Sequence, residues 1–264
     1  MQGKQLIVRP PGTGKTKTIS GLVGKFLSDR SGIIHIQGEK TAKPKLLVCA
    51  PSNAAIDEVC KRLMNGVPSS SGGRYTPNIV RIGMESSVNI AVKSVSLDNL
   101  VEARVTSGGG GKEGGGDYQR IQAELNGVKQ QISTKQDELQ KLSNNDERRK
   151  QVEHEYQGLI QRRTQLGQQS SKAKDAARDA TRHLEGARRA AREAILNEAD
   201  IVCATLSGAG QDSLAQFTFE TVIIDEAAQA IEMSCLIPLK YGCRRCIMVG
   251  GELIGALDVI EAYD

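Results

Sequence analysis

An α/β domain with a parallel sheet, interrupted by an antiparallel pair of helices, is the architecture this sequence predicts. Three observations predict it. Short apolar runs suited to buried strands recur at 6–8, 46–49, 79–82, 201–203, 222–224 and 246–249. Segments with helical apolar spacing, notably 15–28 and 54–64, separate several of them, and strand–helix–strand alternation implies a parallel sheet with helices on both faces. Between 107 and 198 the alternation stops, and a glycine-rich run leads into a long polar stretch with heptad-like apolar spacing.

In chain order, the first run, Leu6-Ile7-Val8, precedes Pro11-Gly12-Thr13-Gly14-Lys15-Thr16, after which Ile19, Leu22, Val23 and Phe26 mark a helix. A glycine-rich turn from strand to helix points backbone N–H groups inward, and the helix N-terminus adds partial positive charge. In a phosphate-binding loop of this kind, Lys15 reaches the β- and γ-phosphates and the Thr16 hydroxyl ligates Mg²⁺. An ordinary turn would explain Gly12-Thr13-Gly14 alone, but not the Lys-Thr pair following a strand. The full pattern, G-x-x-x-x-G-K-[ST], asks for glycine at position 9, where this chain has Arg9. An arginine there is expected to strain or obstruct the loop wherever the turn needs a positive φ.

Next come the run at 46–49, the helix at 54–64 and the run at 79–82. Residues 107–116, with seven glycines, contain too little apolar surface to fold and read as a flexible linker. From about 118 to 197 two antiparallel helices are expected. Ile121, Leu125, Val128, Ile132, Leu139 and Leu142 line the first; Val152, Tyr156, Leu159 and Leu166 line the second; Ser143-Asn144-Asn145 separates them. Gly167 and Gly186 suggest a break in the second helix. Its half of the hairpin is basic, with Arg162, Arg163, Lys172, Lys174, Arg178, Arg182, Arg188, Arg189 and Arg192 against Asp175, Asp179 and Glu185. A nucleic-acid path and a solvated helical face explain that run equally well.

The run at 222–224 ends in Asp225-Glu226, two carboxylates delivered to a strand tip beside a second apolar stretch. With the loop above, this suits Asp225 to holding Mg²⁺ and Glu226 to orienting and deprotonating a water. Phosphoryl transfer needs little more than such positioning and charge neutralisation. In open parallel sheets ligands bind at the carboxyl ends of the strands, where Gly12–Thr16 and Asp225-Glu226 are predicted to converge.

Composition sets outer bounds. A chain of 264 residues with 39% hydrophobic content can bury a substantial core. No secretory signal and no membrane span are predicted. Cys49, Cys60, Cys203, Cys235, Cys243 and Cys246 sit mostly in apolar surroundings and read as reduced core thiols. Cys243-Arg-Arg-Cys246 has zinc-like spacing but lacks a second pair, and His35, His154 and His183 are scattered. A net charge of +4 permits nucleic-acid binding, while the absence of tryptophan and only three phenylalanines argue against stacking platforms.

Four ordered segments carry a resemblance. Pro10 to Thr16 is similar to motif I of superfamily 1 helicases, and Ala50-Pro51-Ser52-Asn53-Ala54-Ala55-Ile56-Asp57-Glu58 resembles their motif Ia. Ala199-Asp200-Ile201-Val202-Cys203-Ala204-Thr205-Leu206-Ser207 resembles motif Ic, and Asp225-Glu226-Ala227-Ala228-Gln229 resembles motif II. The wording is nearest the RNA-directed branch containing senataxin and the nonsense-mediated-decay helicase, where a helical insertion between motifs Ia and Ic is also typical. The resemblance implies a RecA-like P-loop NTPase domain, with residues 1–106 and 199–264 as its two parts, 107–117 as a linker and 118–198 as the inserted hairpin.

It further implies ATP and Mg²⁺ as ligands, with ATP held by Pro11, Gly12, Thr13, Gly14, Lys15, Thr16 and Gln229 and the metal by Thr16 and Asp225. Glu226 and Lys15 would carry the chemistry. Ser52, Asn53, Thr205 and Ser207 would touch single-stranded nucleic acid, RNA in preference to DNA. Hydroxyl and amide side chains suit that role because they bond phosphate or ribose without reading sequence. The helix beginning near Ala54 is also expected to be capped by this segment. A second motor domain, protein partners on the hairpin and a nuclear, non-secreted location follow from the same resemblance.

Motif III departs from the family, reading Gly250-Gly251-Glu252-Leu253-Ile254-Gly255. With the chain ending at Asp264, the expectation is a first motor domain alone, with little or no unwinding activity. Two other readings compete. One is an ABC-type or chromosome-maintenance ATPase, suggested by Leu206-Ser207-Gly208-Ala209-Gly210-Gln211 ahead of the acids. The other is a catalytically silent module that binds nucleic acid or protein.

Overall fold

The computed structural model describes residues 3–8, 12–29, 45–69, 72–108, 116–142 and 147–251. Each of the six apolar runs is a strand: β1 (Gly3–Val8), β2 (Lys45–Ala50), β5 (Ile79–Ile82), β6 (Ile201–Thr205), β7 (Phe219–Asp225) and β8 (Arg245–Gly250). They form one sheet in the order β1-β8-β7-β2-β6-β5, and every pairing is parallel. Five of the six strands outrun their apolar run by two to four residues, because ladder hydrogen bonds continue past the last residue that hydrophobicity can mark.

The all-parallel arrangement follows from burial on both faces, which continuous apolar strands require. On one face Leu46, Val48, Ala50, Ile201, Cys203, Ile223, Ile247 and Val249 pack with α1 (Lys15–Asp29) and α2 (Asn53–Met64). Those helices contribute Ile19 and Val23, and Ile56, Val59, Cys60 and Leu63, at helical spacing. Alternate residues Leu47, Cys49, Val222, Ile224, Cys246 and Met248 are buried on the other face. Phe219 there meets Tyr241 edge to face at 5.2 Å. All six cysteines are unpaired and buried, and burial pushes the Cys49 thiol well above its usual range.

A two-stranded antiparallel ribbon, β3 (Val67–Pro68) with β4 (Arg74–Tyr75), and helix α3 (Leu97–Ser107) were not anticipated. The ribbon is too short for period-two patterning to register. In α3 the buried series Leu97, Val101, Val105 is diluted by charged neighbours.

Two compact units divide the chain: Met1–Arg104 with Ala190–Asp264, and Val105–Arg189. The second consists chiefly of α4 (Gly116–Lys141) and most of α5 (Glu147–Glu198), packed antiparallel. Partner numbers fall on one helix as they rise on the other: Glu138 with Arg148, Lys135 with Glu155, Glu124 with Arg162, Gln122 with Ser170. Val128, Ile132 and Leu166 form its small core, flanked by Ile121, Leu125, Tyr156, Leu159 and Ile160. The predicted turn at 143–145 and most of the predicted linker lie outside the described residues. Arg163, Lys172, Lys174, Arg178, Arg188 and Arg189 are exposed, and so are the ion pairs of Arg162 with Glu124 and Arg182 with Asp179.

The break suggested at Gly167 and Gly186 does not occur. α5 runs unbroken for 52 residues, about 78 Å at 1.5 Å per residue. A single exposed glycine costs a helix only about 1 kcal/mol, which its neighbours, mostly strong helix formers, offset. The C-terminal end of α5 is held by buried Lys45, at the start of β2. Its Nζ donates to the carbonyls of Asn197 (2.6 Å) and Ala199 (2.9 Å), two oxygens that the helix itself leaves unfilled.

A Cβ at position 167 or 186 would meet nothing within 4 Å. Gly167→Ala and Gly186→Ala should therefore each stabilise the helix by about 0.5–1 kcal/mol, read as a raised urea midpoint for the far-ultraviolet helical signal. A lowered midpoint would show that a bend exists at that position in solution.

Candidate functional site

The glycines of the first motif adopt the backbone they are needed for. Gly12 has φ +79° and Gly14 φ +87°, in the left-handed region that side chains other than glycine rarely enter. This reversal starts α1 at Lys15, and the Gly14 carbonyl closes the first turn by accepting from Thr18 N at 3.1 Å. No acidic residue occupies that turn, and a helix N-terminus of this kind suits an anion. Pro11, with Arg9 and Pro10, lies outside the described residues. Thr13 is exposed, and Thr16 is half-buried in the first turn of α1.

Sheet register brings the acids to this loop. Val8, the last residue of β1, is level with Gly250 of β8, and Asp225 of β7 is level with Val249. Glu226 is therefore one row beyond, level with the end of β1 and two strand widths from it, about 9.6 Å. Lys15 spans the gap: its ammonium lies 3.1 Å from one Glu226 carboxylate oxygen and 3.2 Å from the other. Glu226 has φ +51°, the only described residue other than glycine with positive φ. That conformation costs roughly 1–2 kcal/mol, and non-glycine examples cluster at functional sites.

Asp225 is buried, and its Oδ1 has no hydrogen-bond partner among the described residues. Burial raises its carboxyl above the ordinary range, while a hydrogen bond from the Glu226 backbone pulls the other way. A hard divalent cation takes oxygen ligands, and a buried, unfilled carboxylate oxygen beside a loop of this kind fits one. Gln229 is exposed in the short 3-10 turn Ala227–Gln229.

The remaining predicted residues gather at the ends of β2 and β6. Ala50 is paired with Thr205, and the Ala50 carbonyl accepts from Leu206 N at 3.0 Å, so the segments after each strand leave the sheet together. Ser52 caps α2, its Oγ accepting from Ala55 N at 3.2 Å. Thr205 Oγ1 accepts from Gly208 N at 3.0 Å, and Ser207 is exposed. Asn53 Oδ1 accepts from Arg81 Nη2 at 2.9 Å.

Arg81 was not singled out from the sequence, yet it is fully buried. A signal was present: one arginine inside the apolar run Ile79-Val80-Arg81-Ile82 must find partners if that strand is central or covered.

A parallel sheet with a glycine loop on one strand, paired acids on another and β8 between them defines a P-loop NTPase of RecA-like architecture. Over residues 1–252 the chain matches the family described as AAA domain. It is 40% identical to Helicase SEN1 of Saccharomyces cerevisiae across 94% of this chain and 12% of that protein. It is 31% identical to Probable helicase senataxin of Homo sapiens across 93% of this chain and 9% of that one. ATP-dependent helicase NAM7 of Saccharomyces cerevisiae is 30% identical, across 93% and 18%. The chain belongs to this AAA domain family, in the superfamily 1 helicase branch that includes senataxin. It spans less than a fifth of each of these relatives, and the membership displaces the ABC-type reading.

Because Asp225 carries a buried, unfilled oxygen, Asp225→Asn should raise the melting temperature of the nucleotide-free protein at neutral pH by a few degrees. A drop instead would mean that its charge is compensated in solution.

Proposed function

We propose that this chain is the first motor domain of an ATP-dependent nucleic-acid helicase, binding ATP at the loop of Pro11, Gly12, Thr13, Gly14, Lys15 and Thr16. The observation that carries the proposal is the meeting of Lys15 and Glu226 at 3.1 Å beside a glycine-formed helix N-terminus. The α1 amides cradle the phosphates, and Lys15 neutralises the β- and γ-phosphate oxygens. Thr16 and Asp225 hold Mg²⁺, which when bound draws charge from the transferring phosphoryl group. Glu226 orients the attacking water and accepts its proton, and Gln229 lies toward the γ-phosphate. Closing the cleft over bound nucleotide, and so unwinding, takes a second motor domain.

Residues 1–106 and 199–264 form the motor, 107–117 the linker and 118–198 an insertion open to protein partners. Ser52, Asn53, Thr205 and Ser207 contact a single strand at the ends of β2 and β6. RNA is preferred over DNA in this reading, in keeping with relatives named regulator of nonsense transcripts 1 homolog. A nuclear location follows from resemblance to the same branch. No described helix is long and apolar enough to cross a membrane.

Calorimetry of Mg²⁺-dependent ATP binding tests the assignment. Lys15→Ala should weaken binding by roughly ten- to a hundredfold, the worth of a charged hydrogen bond. Glu226→Gln should keep affinity within about threefold, while lowering any hydrolysis by a factor of about 10²–10⁴. Equal loss of binding in both variants contradicts the roles given to them. Binding by Arg9→Gly alone identifies a disabled copy of the site, and binding by neither favours the catalytically silent module.

A further inference from the structure

A buried charged group lies directly beneath Asn53. The Arg81 guanidinium donates through Nε to Asp57 Oδ1 at 2.7 Å, through Nη2 to Asn53 Oδ1 at 2.9 Å, and through Nη1 to the Ile82 carbonyl. The second Asp57 oxygen accepts from Asn89 N at 2.8 Å. Arg81 is 0% exposed and Asp57 3%, so the pair is removed from water with its main bonds made. Asn53 and Asp57, four residues apart on α2, present one face to the guanidinium. Gly83 leaves room for it, since a Cβ there would come within 2.8 Å of Nη1.

Guanidinium groups have donors and no acceptor, whereas an asparagine amide has one of each kind of end. Whatever faces Arg81 must therefore be the Asn53 oxygen, and the Nδ2 group, with its two N–H donors, is left pointing away from the buried group. Donors suit the oxygens of a nucleic-acid backbone, and a flipped amide would present an acceptor to them. Ser52 beside it accepts from Ala55 N as the cap of α2, which leaves its O–H to donate.

We infer that Arg81 is a positioning residue: held by Asp57, it fixes the Asn53 amide so that its N–H donors face a phosphate or ribose oxygen of a bound strand. The inference rests on the proposed nucleic-acid role of Asn53. It adds that the contact depends on a residue that never touches the strand, and that a charge locked in the core sets its polarity.

A double-mutant cycle reads this out, using anisotropy of a fluorescein-labelled oligouridylate, with oligodeoxythymidylate in parallel. Asn53→Ala should weaken binding about fivefold, the worth of one hydrogen bond. Arg81→Lys keeps the charge beside Asp57 but loses the fork that reaches Asn53. It should weaken binding by about the same factor in the native background and add nothing in the Asn53→Ala background. Equal losses in both backgrounds overturn the inference, because a merely structural arginine would cost both alike. As a check that spares the core, Asn53→Asp keeps an acceptor toward Arg81 and deletes the donors. It should melt no lower than the native chain yet bind the strand at least fivefold more weakly, and retained binding by it overturns the inference. No binding by the native chain, or no change with Asn53→Ala, instead brings down the parent reading of Asn53.

Discussion

The candidate site depends on one constraint of the sheet: β8 lies between β1 and β7 with both pairings parallel and in register. Because Val8 and Asp225 are keyed to neighbouring rows of the same strand, the loop and the acids emerge at one level. Ladder hydrogen bonds thereby bring the ends of β1 and β7 to one level, and the Lys15 side chain spans what remains. A one-residue slip in either pairing would turn the strand's buried side chains to the opposite face, so the register is enforced by the burial of Ile223, Ile247 and Val249. Packing and site geometry thus have a single origin.

Two exceptional conformations mark where local preference yields to this arrangement. Glu226 takes a left-handed backbone although any non-glycine residue resists it, and Asp225 keeps a carboxylate oxygen buried without a protein partner among the described residues. Both lie at the tip of a strand whose preceding four residues are ordinary buried apolar and hydroxyl side chains. Strain and an unfilled polar atom in adjacent residues, with a regular element before them, are features that cluster at functional sites.

The amino-acid sequence showed most of the sheet. All six strands announced themselves as apolar runs, since strands covered on both faces cannot be disguised by polar alternation, and the hairpin showed itself in its heptads. What it hid was of three kinds. Short elements such as Val67–Pro68 carry too few residues for a period to be seen. The continuity of α5 through Gly167 and Gly186 is decided by neighbours and not by the glycines. The Arg81 group joins residues 53, 57, 81 and 89 from α2, β5 and the loop that follows β5, and only the fold makes them neighbours. The meeting of Lys15 with Glu226 in the candidate site was legible because its motif spacing is local; the bonds of Arg81 beneath Asn53 were not, because they are assembled across the chain.

The grip of Lys45 on the end of α5 has a mechanical side. Its side chain ties the last turn of a helix about 78 Å long to the first residue of a central strand. The far end of that same strand, about 17 Å away, leads into the Ser52 cap of α2. β2 is flanked on both sides by hydrogen-bonded neighbours. The end of the long helix and the start of α2 are thus anchored at opposite ends of one six-residue strand.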